Sequence, residues 1–363
     1  MKWPLEGACS VYKFRRREWF SYTDINSRAA GVSCRKCMLN CCLYLTTSSF
    51  FRLLSCSYFI LLYFSPLFPA MTSEFAFITG AAGGVGKAMA TSLASKGTKV
   101  FIADRDAVGA EATATELNGE YSVVDVADRK SQAAAFQRAV DLFGRVDYVL
   151  AVAGVGENQW MPAADSGSGF QKPDLSVIDI NVTGMLYTVS LAVQQFRRQP
   201  PNAHGFRGKG KYAPSNLVLR SVSILTFTAI ATGSVCGIYC SPGVPIYTTS
   251  KHAVTGLARS WGKALLSEGI TLNCINPNVM RTNFATGQFY DSLDSEGLLT
   301  PIHGVVKTCD QLLSQKETVN GECFEIGPDY DFGQGAVRPK FPDYIDKKTK
   351  CVFDKLVRRG QAK

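Results

Sequence analysis

The sequence is poor in histidine, with only His204, His252 and His303 among its 363 residues. None of the three has a second ligand at metal-binding spacing, so we expect no zinc or iron site in the body of the chain. Charge is also sparse, since Asp, Glu, Lys and Arg together make up 19% of the residues. Apolar residues make up 46%, which is enough for a sizeable buried core.

The net charge of +9 is not spread evenly along the chain. Residues 1–70 hold nine Lys and Arg against three Asp and Glu, whereas the remaining residues hold thirty against twenty-seven. The body is therefore nearly balanced and lacks the clustered basic charge that is typical of nucleic-acid-binding proteins. We expect no nucleic-acid partner.

The cysteines form no repeating disulfide framework. Six of the twelve fall in the first 70 residues, and the other six are scattered between Cys236 and Cys351. In the body they are typical of reduced, mostly buried thiols, which favours a cytoplasmic location. A thiolate metal site is the alternative for one group only, which is Cys34, Cys37, Cys41 and Cys42. Neither a second cysteine pair nor a histidine follows this group at the spacing of a zinc finger.

The composition changes sharply at Met71. The preceding residues are basic and cysteine-rich and then apolar, and segment 53–68 is a candidate membrane anchor. That segment is shorter than the roughly 20 residues a spanning helix needs, and it lies too far from the start for an ordinary signal peptide. The Ser, Phe, Leu and Pro residues that make up most of this segment can be encoded by pyrimidine-only codons, as in an untranslated leader that is translated in frame. We expect residues 1–70 to be such a leader and the protein to start at Met71; the alternative is membrane association through 53–68.

A second unusual segment, 210–229, separates a helical pattern from the next strand pattern. Its residues can be encoded by codons that resemble splice-donor, branch-point and acceptor strings, which suggests the hypothesis of a retained intron. The alternative is an ordinary surface insertion, because loops tolerate added length well. The intron hypothesis suggests a second interpretation, in which the chain is a catalytically silent product and not an active enzyme. The reason is that the segment ends just before the strand that leads to Ser234.

From Met71 onward, continuous apolar runs alternate with helical patterns. The apolar runs are 75–79, 99–103, 121–126, 146–152, 230–233, 270–275 and 322–326, and the strongest helical patterns are 85–95, 175–196 and 247–266. Repeated strand–helix units predict a parallel sheet with helices on both faces, and continuous apolar strands are typical of such buried sheets. We therefore predict that residues 71–363 form one α/β domain built on a Rossmann-like, doubly wound parallel sheet.

A glycine-rich turn follows the first strand and opens the first helix, over Thr79, Gly80, Ala81, Ala82, Gly83, Gly84, Val85 and Gly86. Glycines allow a tight turn and a close approach to a pyrophosphate, and the helix N-terminus offers free N–H groups to that anion. Asp104 ends the next strand, eighteen residues after Gly86. A carboxylate there can bind the adenosine ribose hydroxyls and repel a 2′-phosphate, so we predict NAD, with NADP less favoured; Arg105 next to it is the residue that could receive the phosphate.

Tyr247 and Lys251 stand four residues apart in a helical pattern, so their side chains are neighbours. A phenol ionises near pH ~10, and a nearby ammonium group lowers that pKa. Tyr247 is therefore predicted to exchange a proton with a substrate oxygen. Ser234, thirteen residues earlier, could hold the same oxygen. The Tyr-x-x-x-Lys pair is common by chance, and its combination with the glycine turn makes it specific.

Together these motifs resemble the short-chain dehydrogenase/reductase family, from about Met71 to the 322–326 strand. Within the family the chain is most similar to the branch of NAD-dependent 15-hydroxyprostaglandin dehydrogenase. The resemblance implies four catalytic residues, which are Asn181, Ser234, Tyr247 and Lys251. It also implies a cofactor site made by Thr79, Gly80, Gly84, Val85, Gly86, Asp104, Asp125, Val126, Gly154, Tyr247, Lys251 and Thr282.

The resemblance further implies hydride transfer between a nicotinamide and the carbinol carbon of a small-molecule secondary alcohol or ketone. Lys251 would bind the nicotinamide ribose, Asn181 would hold a water next to Lys251, and Thr282 would meet the carboxamide. Family members commonly assemble through two long helices, so we expect a homodimer or homotetramer. Two positions depart from the family pattern: Val152 replaces an Asn, and Asn278 replaces a Gly but tolerates left-handed backbone.

Overall fold

The computed structural model describes residues 74–163, 169–199, 227–282, 286–314, 319–332 and 335–361, with 332 and 357–361 described by their backbone alone. The expected leader 1–70, its apolar segment 53–68 and the expected start at Met71 lie outside these residues. Most of the expected insertion, 210–226, lies outside them as well.

Seven strands are found in the described part of the chain: β1 Phe75–Thr79, β2 Lys99–Asp104, β3 Glu120–Val123, β4 Tyr148–Ala151, β5 Phe227–Thr232, β6 Ile270–Pro277 and β7 Cys323–Ile326. They form one parallel sheet in the order β3-β2-β1-β4-β5-β6-β7, which confirms the predicted doubly wound fold. The strand order reverses between β1 and β4, and ligands of such sheets bind in the crevice at this reversal.

The α-helices found in the described residues are α1 Gly84–Ser95, α2 Ala107–Glu116, α3 Arg129–Phe143, α4 Ser176–Arg198, α5 Pro245–Leu265, α6 Gly287–Ser295, α7 Ile302–Leu313 and α8 Lys347–Gln361. The buried side chains of α1, α2 and α7 pack on one face, and those of α3, α4 and α5 pack on the other. Because both faces are covered, the central strands are buried on both sides, which explains their continuous apolar runs.

Successive residues of the central strands supply the two halves of the core. Phe77 faces α3, where its ring lies 4.8 Å from that of Phe136 and 5.5 Å from that of Phe101 on β2. The next residue, Ile78, points to the opposite face and is fully buried there. Helix α4 is long and apolar enough by composition to cross a membrane, but its apolar face is buried in the core through residues such as Val189.

The strand predicted at 230–233 begins earlier in the structure, and the hypothesis of an insertion at about 210–229 stays a prediction. Strand β5 starts at Phe227, and Thr228 and Ala229 pair with β4 on one side and β6 on the other. Phe227 stacks on Phe196 of α4 with ring centroids 5.0 Å apart. These three residues are therefore core residues of a central strand. Possible splice signals carry no information about such packing.

Candidate active site

The glycine turn is fixed by close backbone packing at the end of β1. Gly80 has φ of +73°, and its amide donates a hydrogen bond of 2.8 Å to the carbonyl of Ala103. A Cβ at Gly80 would lie 2.6 Å from the backbone of Ala153, just after β4, and a Cβ at Gly86 would collide with the carbonyl of Gly80. Both positions therefore require glycine.

The other side of the turn faces open space. A Cβ at Gly83 or at Gly84, whose φ is +56°, would meet no atom within 4 Å. Helix α1 starts here without a side-chain cap, while Val85 anchors its first turn in the core. Free N–H groups at a helix N-terminus attract anions. This arrangement fits the pyrophosphate of a dinucleotide.

Thr79 and Asp104 hold the strand ends around the turn. The hydroxyl of Thr79 accepts a hydrogen bond of 3.2 Å from the amide of Val152, which joins β1 to the residues after β4. The carboxylate of Asp104 accepts hydrogen bonds from the amides of Ala82, at 3.0 Å, and Asp106, at 3.1 Å. The carboxylate is thereby held beside the glycine turn, and its remaining lone pairs can accept further hydrogen bonds.

The predicted adenine-side residues follow β3. Asp125 is exposed, and its carboxylate accepts a hydrogen bond of 2.9 Å from the amide of Ala127. Val126 is buried, and its carbonyl accepts a hydrogen bond of 2.6 Å from the side chain of Gln132. Gln132 also binds the carbonyl of Gly184 on α4 at 2.8 Å. The segment after β3 is therefore fastened to α4.

Helix α5 carries the predicted proton-transfer pair. The ammonium of Lys251 lies 5.4 Å from the ring centre of Tyr247 and donates a hydrogen bond of 3.1 Å to the carbonyl of Thr232, at the end of β5. The side chain of Ser234, which follows the same strand, lies close enough to the phenol of Tyr247 to lower the pKa of that group. The structure thus brings Ser234, Tyr247 and Lys251 together.

Burial changes the pKa of both members of the pair. Desolvation raises the pKa of Tyr247 to about 12, and the nearby side chain of Ser234 only partly opposes it. Complete burial lowers the pKa of Lys251 to about 8. The prediction that Lys251 lowers the pKa of Tyr247 was therefore wrong for this structure. The ammonium binds the Thr232 carbonyl and lies over the ring, so desolvation of the phenol outweighs its charge.

Asn181 lies in a π-helical turn of α4, Asp179–Gly184, and such turns often occur at functional sites. Its side chain accepts a hydrogen bond of 2.8 Å from the amide of Val155 and donates one of 2.9 Å to the carbonyl of the same residue. It also donates to the hydroxyl of Ser250 at 3.2 Å. Asn181 therefore joins the loop after β4 to α5; its role in holding a water remains a prediction.

Gly154 separates Asn181 from Lys251. A Cβ at Gly154 would lie 3.1 Å from the side-chain oxygen of Asn181 and 3.6 Å from the ammonium nitrogen of Lys251. The bare backbone at this position therefore leaves space between the two catalytic side chains. The predicted cofactor residue and the predicted catalytic residues belong to one site.

Thr282 lies after β6, and its hydroxyl is 3.0 Å from the phenol oxygen of Tyr290 on α6. Tyr290 is buried and close enough to Tyr247 to raise the pKa of that residue. Thr282 is thereby connected to the proton-transfer group through one buried side chain. No sequence motif marks Tyr290, because its contacts depend on how α6 packs near Thr282 and Tyr247.

Three further residues at the site were missed. The carboxylate of Glu157 accepts a hydrogen bond of 2.7 Å from the amide of Tyr247, although the two lie 90 residues apart. Asn276 donates from its side chain to the carbonyl of Ser234 at 2.8 Å. Cys274 is fully buried near Lys251, and its hydrogen bond with Cys323, together with burial, raises its pKa. Contacts between distant residues of this kind leave no local sequence pattern.

The two departures from the family pattern are accommodated locally. Val152 packs against the core on the side of α1, and its amide is bound by Thr79. Asn278 needs no left-handed backbone, since Asn118 is the one non-glycine residue with positive φ among those described. Its side chain instead accepts a hydrogen bond of 2.8 Å from the amide of Val279.

Comparison with known proteins identifies the same fold and motifs. A family model described as short chain dehydrogenase matches residues 74–202 and 228–292. The short-chain dehydrogenase fogB of Aspergillus ruber is 30% identical over 217 residues, which are 57% of this chain and 74% of that protein. An uncharacterized oxidoreductase of Mycobacterium tuberculosis is 31% identical over 297 residues, which are 77% of this chain and 98% of that protein.

Among solved structures, 3-ketoacyl-(acyl-carrier-protein) reductase from Brucella melitensis, complexed with NADH, has a similar fold. The TM-score is 0.55 over 70% of this chain and 97% of that chain, with 21% sequence identity. At that identity the likeness shows the fold alone. The family-model match covers more than half of the chain and includes both the glycine turn and the Tyr247–Lys251 pair. The chain belongs to the short-chain dehydrogenase family of oxidoreductases.

Proposed function

We propose that the protein transfers a hydride between a nicotinamide cofactor and a secondary alcohol or ketone of a small molecule. The observation that carries the proposal is the pair Ser234 and Tyr247, whose side chains lie close together, with Lys251 buried 5.4 Å from the centre of the Tyr247 ring. The pair lies at the carboxyl ends of the strands, on the same edge of the sheet as the glycine turn. A hydride acceptor and a proton donor for one carbonyl group can meet there.

The cofactor we propose is NAD, with NADP as the less favoured alternative. Gly83, Gly84 and the start of α1 fit the pyrophosphate, and Asp104 would accept hydrogen bonds from the adenosine ribose. A 2′-phosphate would be repelled by the same carboxylate. When bound, the nicotinamide supplies or takes up the hydride at the substrate carbon.

Tyr247 moves the proton at the substrate oxygen. Because burial raises its pKa to about 12, the phenol keeps its proton at neutral pH and can donate it to a carbonyl oxygen. The carbon gains a hydride, the oxygen gains the Tyr247 proton, and a carbinol results. Ser234 would hold the same oxygen through its hydroxyl. Lys251, with its pKa near 8, can return a proton close to neutral pH.

The proposal also covers the substrate class, the location and the oligomeric state. Resemblance to the branch of NAD-dependent 15-hydroxyprostaglandin dehydrogenase supports a secondary alcohol or its ketone as substrate. We also propose a cytoplasmic homodimer or homotetramer that assembles through α4 and α5. The rival proposal of a catalytically silent product is disfavoured by the pairing of Phe227 within the sheet and by the contact of Ser234 with Tyr247.

Cofactor choice tests the first half of the proposal. Fluorescence titration of the full chain should give tighter binding of NADH than of NADPH, and Asp104→Ala should shrink the difference. Glu120→Ala is the matched control, because Glu120 starts the neighbouring strand β3 and pairs with Phe101, three residues before Asp104 and away from the carboxyl ends of the strands. Tighter NADPH binding by the unmodified protein would contradict the assignment of Asp104 and point to Arg105.

A further inference from the structure

The C-terminal segment plays no part in the proposed chemistry. Residues 337–363 contain nine Lys and Arg against three Asp and Glu, which makes this the most charged end of the body. Helix α8 occupies most of the segment. Its described side chains from Lys347 to Leu356 are all exposed, apart from that of Thr349, which is half-buried.

One face of α8 is apolar and largely exposed, although the ring of Phe353 also lies 5.4 Å from that of Tyr344. Val352, Phe353 and Leu356 share this face, because Leu356 lies four residues after Val352 and three after Phe353, and residues at these spacings lie on the same side of a helix. Their exposed fractions are 55%, 48% and 54%. Ile345, just before the helix, is 89% exposed. Helices of this length are marginal in water without a partner for their apolar face.

Lysines flank the apolar face on both sides. Lys348 and Lys355 are two turns apart on one side, and Lys350 lies on the other, where it pairs with Asp354 at 2.9 Å. A second copy of α8 packed on this face would bring lysines of the two helices together. Charge therefore disfavours self-association and favours a negatively charged partner with an apolar interior.

We propose that α8 is a membrane-surface helix that lies on anionic lipid bilayers. Val352, Phe353 and Leu356 would enter the region between headgroups and acyl chains, and the lysines would meet the anionic headgroups. Helices with one apolar face, a lysine-rich polar face and low overall hydrophobicity bind membranes in this manner. Each lysine near the surface adds electrostatic attraction to anionic lipids.

Vesicle co-sedimentation of the full chain tests this proposal. Phosphatidylcholine vesicles that contain phosphatidylserine should bind the protein, and pure phosphatidylcholine vesicles should bind it at least roughly tenfold more weakly. The double variant Phe353→Ser, Leu356→Ser and the double variant Lys348→Glu, Lys355→Glu should each lose binding by a similar factor. Leu142→Ser is the matched control, since Leu142 is 50% exposed on α3. Because residues 1–70 are present in every variant, their contribution is constant.

Two results would overturn the proposal. The first is a vesicle result: either the full chain binds both vesicle types equally, or the Phe353→Ser, Leu356→Ser variant binds as well as the wild type. The second comes from analytical ultracentrifugation of the same proteins without lipid. If that variant dissociates an oligomer and keeps its vesicle binding, a second copy covers the face. Unchanged melting temperatures for both double variants are expected, because their substituted side chains are exposed.

Discussion

The carboxylate of Glu157 caps the helix that carries Tyr247, with 2.7 Å between Oε2 of Glu157 and the amide nitrogen of Tyr247. Val244 precedes α5 and has no side-chain oxygen to satisfy the amides of the first turn. Glu157 therefore fills that role from the loop after β4. A carboxylate is also favourable at a helix N-terminus because of the helix dipole. The contact holds the third residue of α5, which is Tyr247, the proposed proton-transfer residue.

Glu157 is expected to act as a positioning residue. Glu157→Ala should lower kcat about tenfold, on the scale of a lost helix cap, and leave the Kd for NADH nearly unchanged. Glu157→Gln keeps an acceptor oxygen and should restore most of kcat. Steady-state kinetics and NADH titration of the two variants provide the check. Full activity in Glu157→Ala would show that the cap does not position Tyr247.

Lys251 is expected to lower the free energy of unfolding at neutral pH. Its folded-state pKa of about 8 lies below the usual lysine value of 10.5, so between these pH values the unfolded chain binds more protons and stability rises with pH. Below pH ~8 the full cost applies, on the order of 3 kcal/mol. Lys251→Met should therefore be more stable than the wild type at pH 7.

The stability gap between Lys251→Met and the wild type should narrow as the pH rises from 8 toward 10.5. Urea unfolding at several pH values up to about 10 measures this gap before Tyr247 titrates. The pKa of Tyr247 is raised in the folded protein, so its ionisation affects stability with the opposite sign. That effect lowers the stability only at pH values above the pKa of the unfolded tyrosine, which is about 10. A gap that is independent of pH would contradict a lowered pKa for Lys251.

Two deletions test where the predicted insertion ends. Removal of 210–229 takes away Phe227, Thr228 and Ala229, which form half of a central strand, so the protein should lose its cooperative melting transition. Removal of 210–226 spares β5 and, under the insertion hypothesis, should preserve NADH binding. Circular dichroism melts and NADH titration compare the two. A normal melt after removal of 210–229 would mean that another segment replaces those residues in β5.

Sequence patterns predicted the fold and the motif residues where the signal is local. Runs such as 75–79 and 270–275 are continuous because both faces of the sheet are covered, and the glycine turn is short and contiguous. Helices α2 and α3 were not predicted. The apolar face of α2 consists of small side chains such as Ala110 and Ala114, which give little contrast with its other faces.

Properties that depend on distant contacts were not predictable. Glu157, Tyr290 and Asn276 reach the site from different loops and helices, and no spacing in the sequence connects them to Tyr247 or Ser234. The pKa of Tyr247 depends on how completely the fold buries the phenol, whereas the i, i+4 spacing reports only the nearby lysine. Spacing thus indicated the partners, and burial determined the direction of the shift.

The most direct test of the proposed chemistry is isotope transfer from NADH deuterated at C4 to a panel of small secondary-ketone substrates. Deuterium is expected on the carbinol carbon of the product. We also predict that Tyr247→Phe lowers the rate roughly 10²–10⁴-fold while NADH still binds, because only the proton donor is removed. Deuterium transfer that persists at the wild-type rate in Tyr247→Phe would contradict the account.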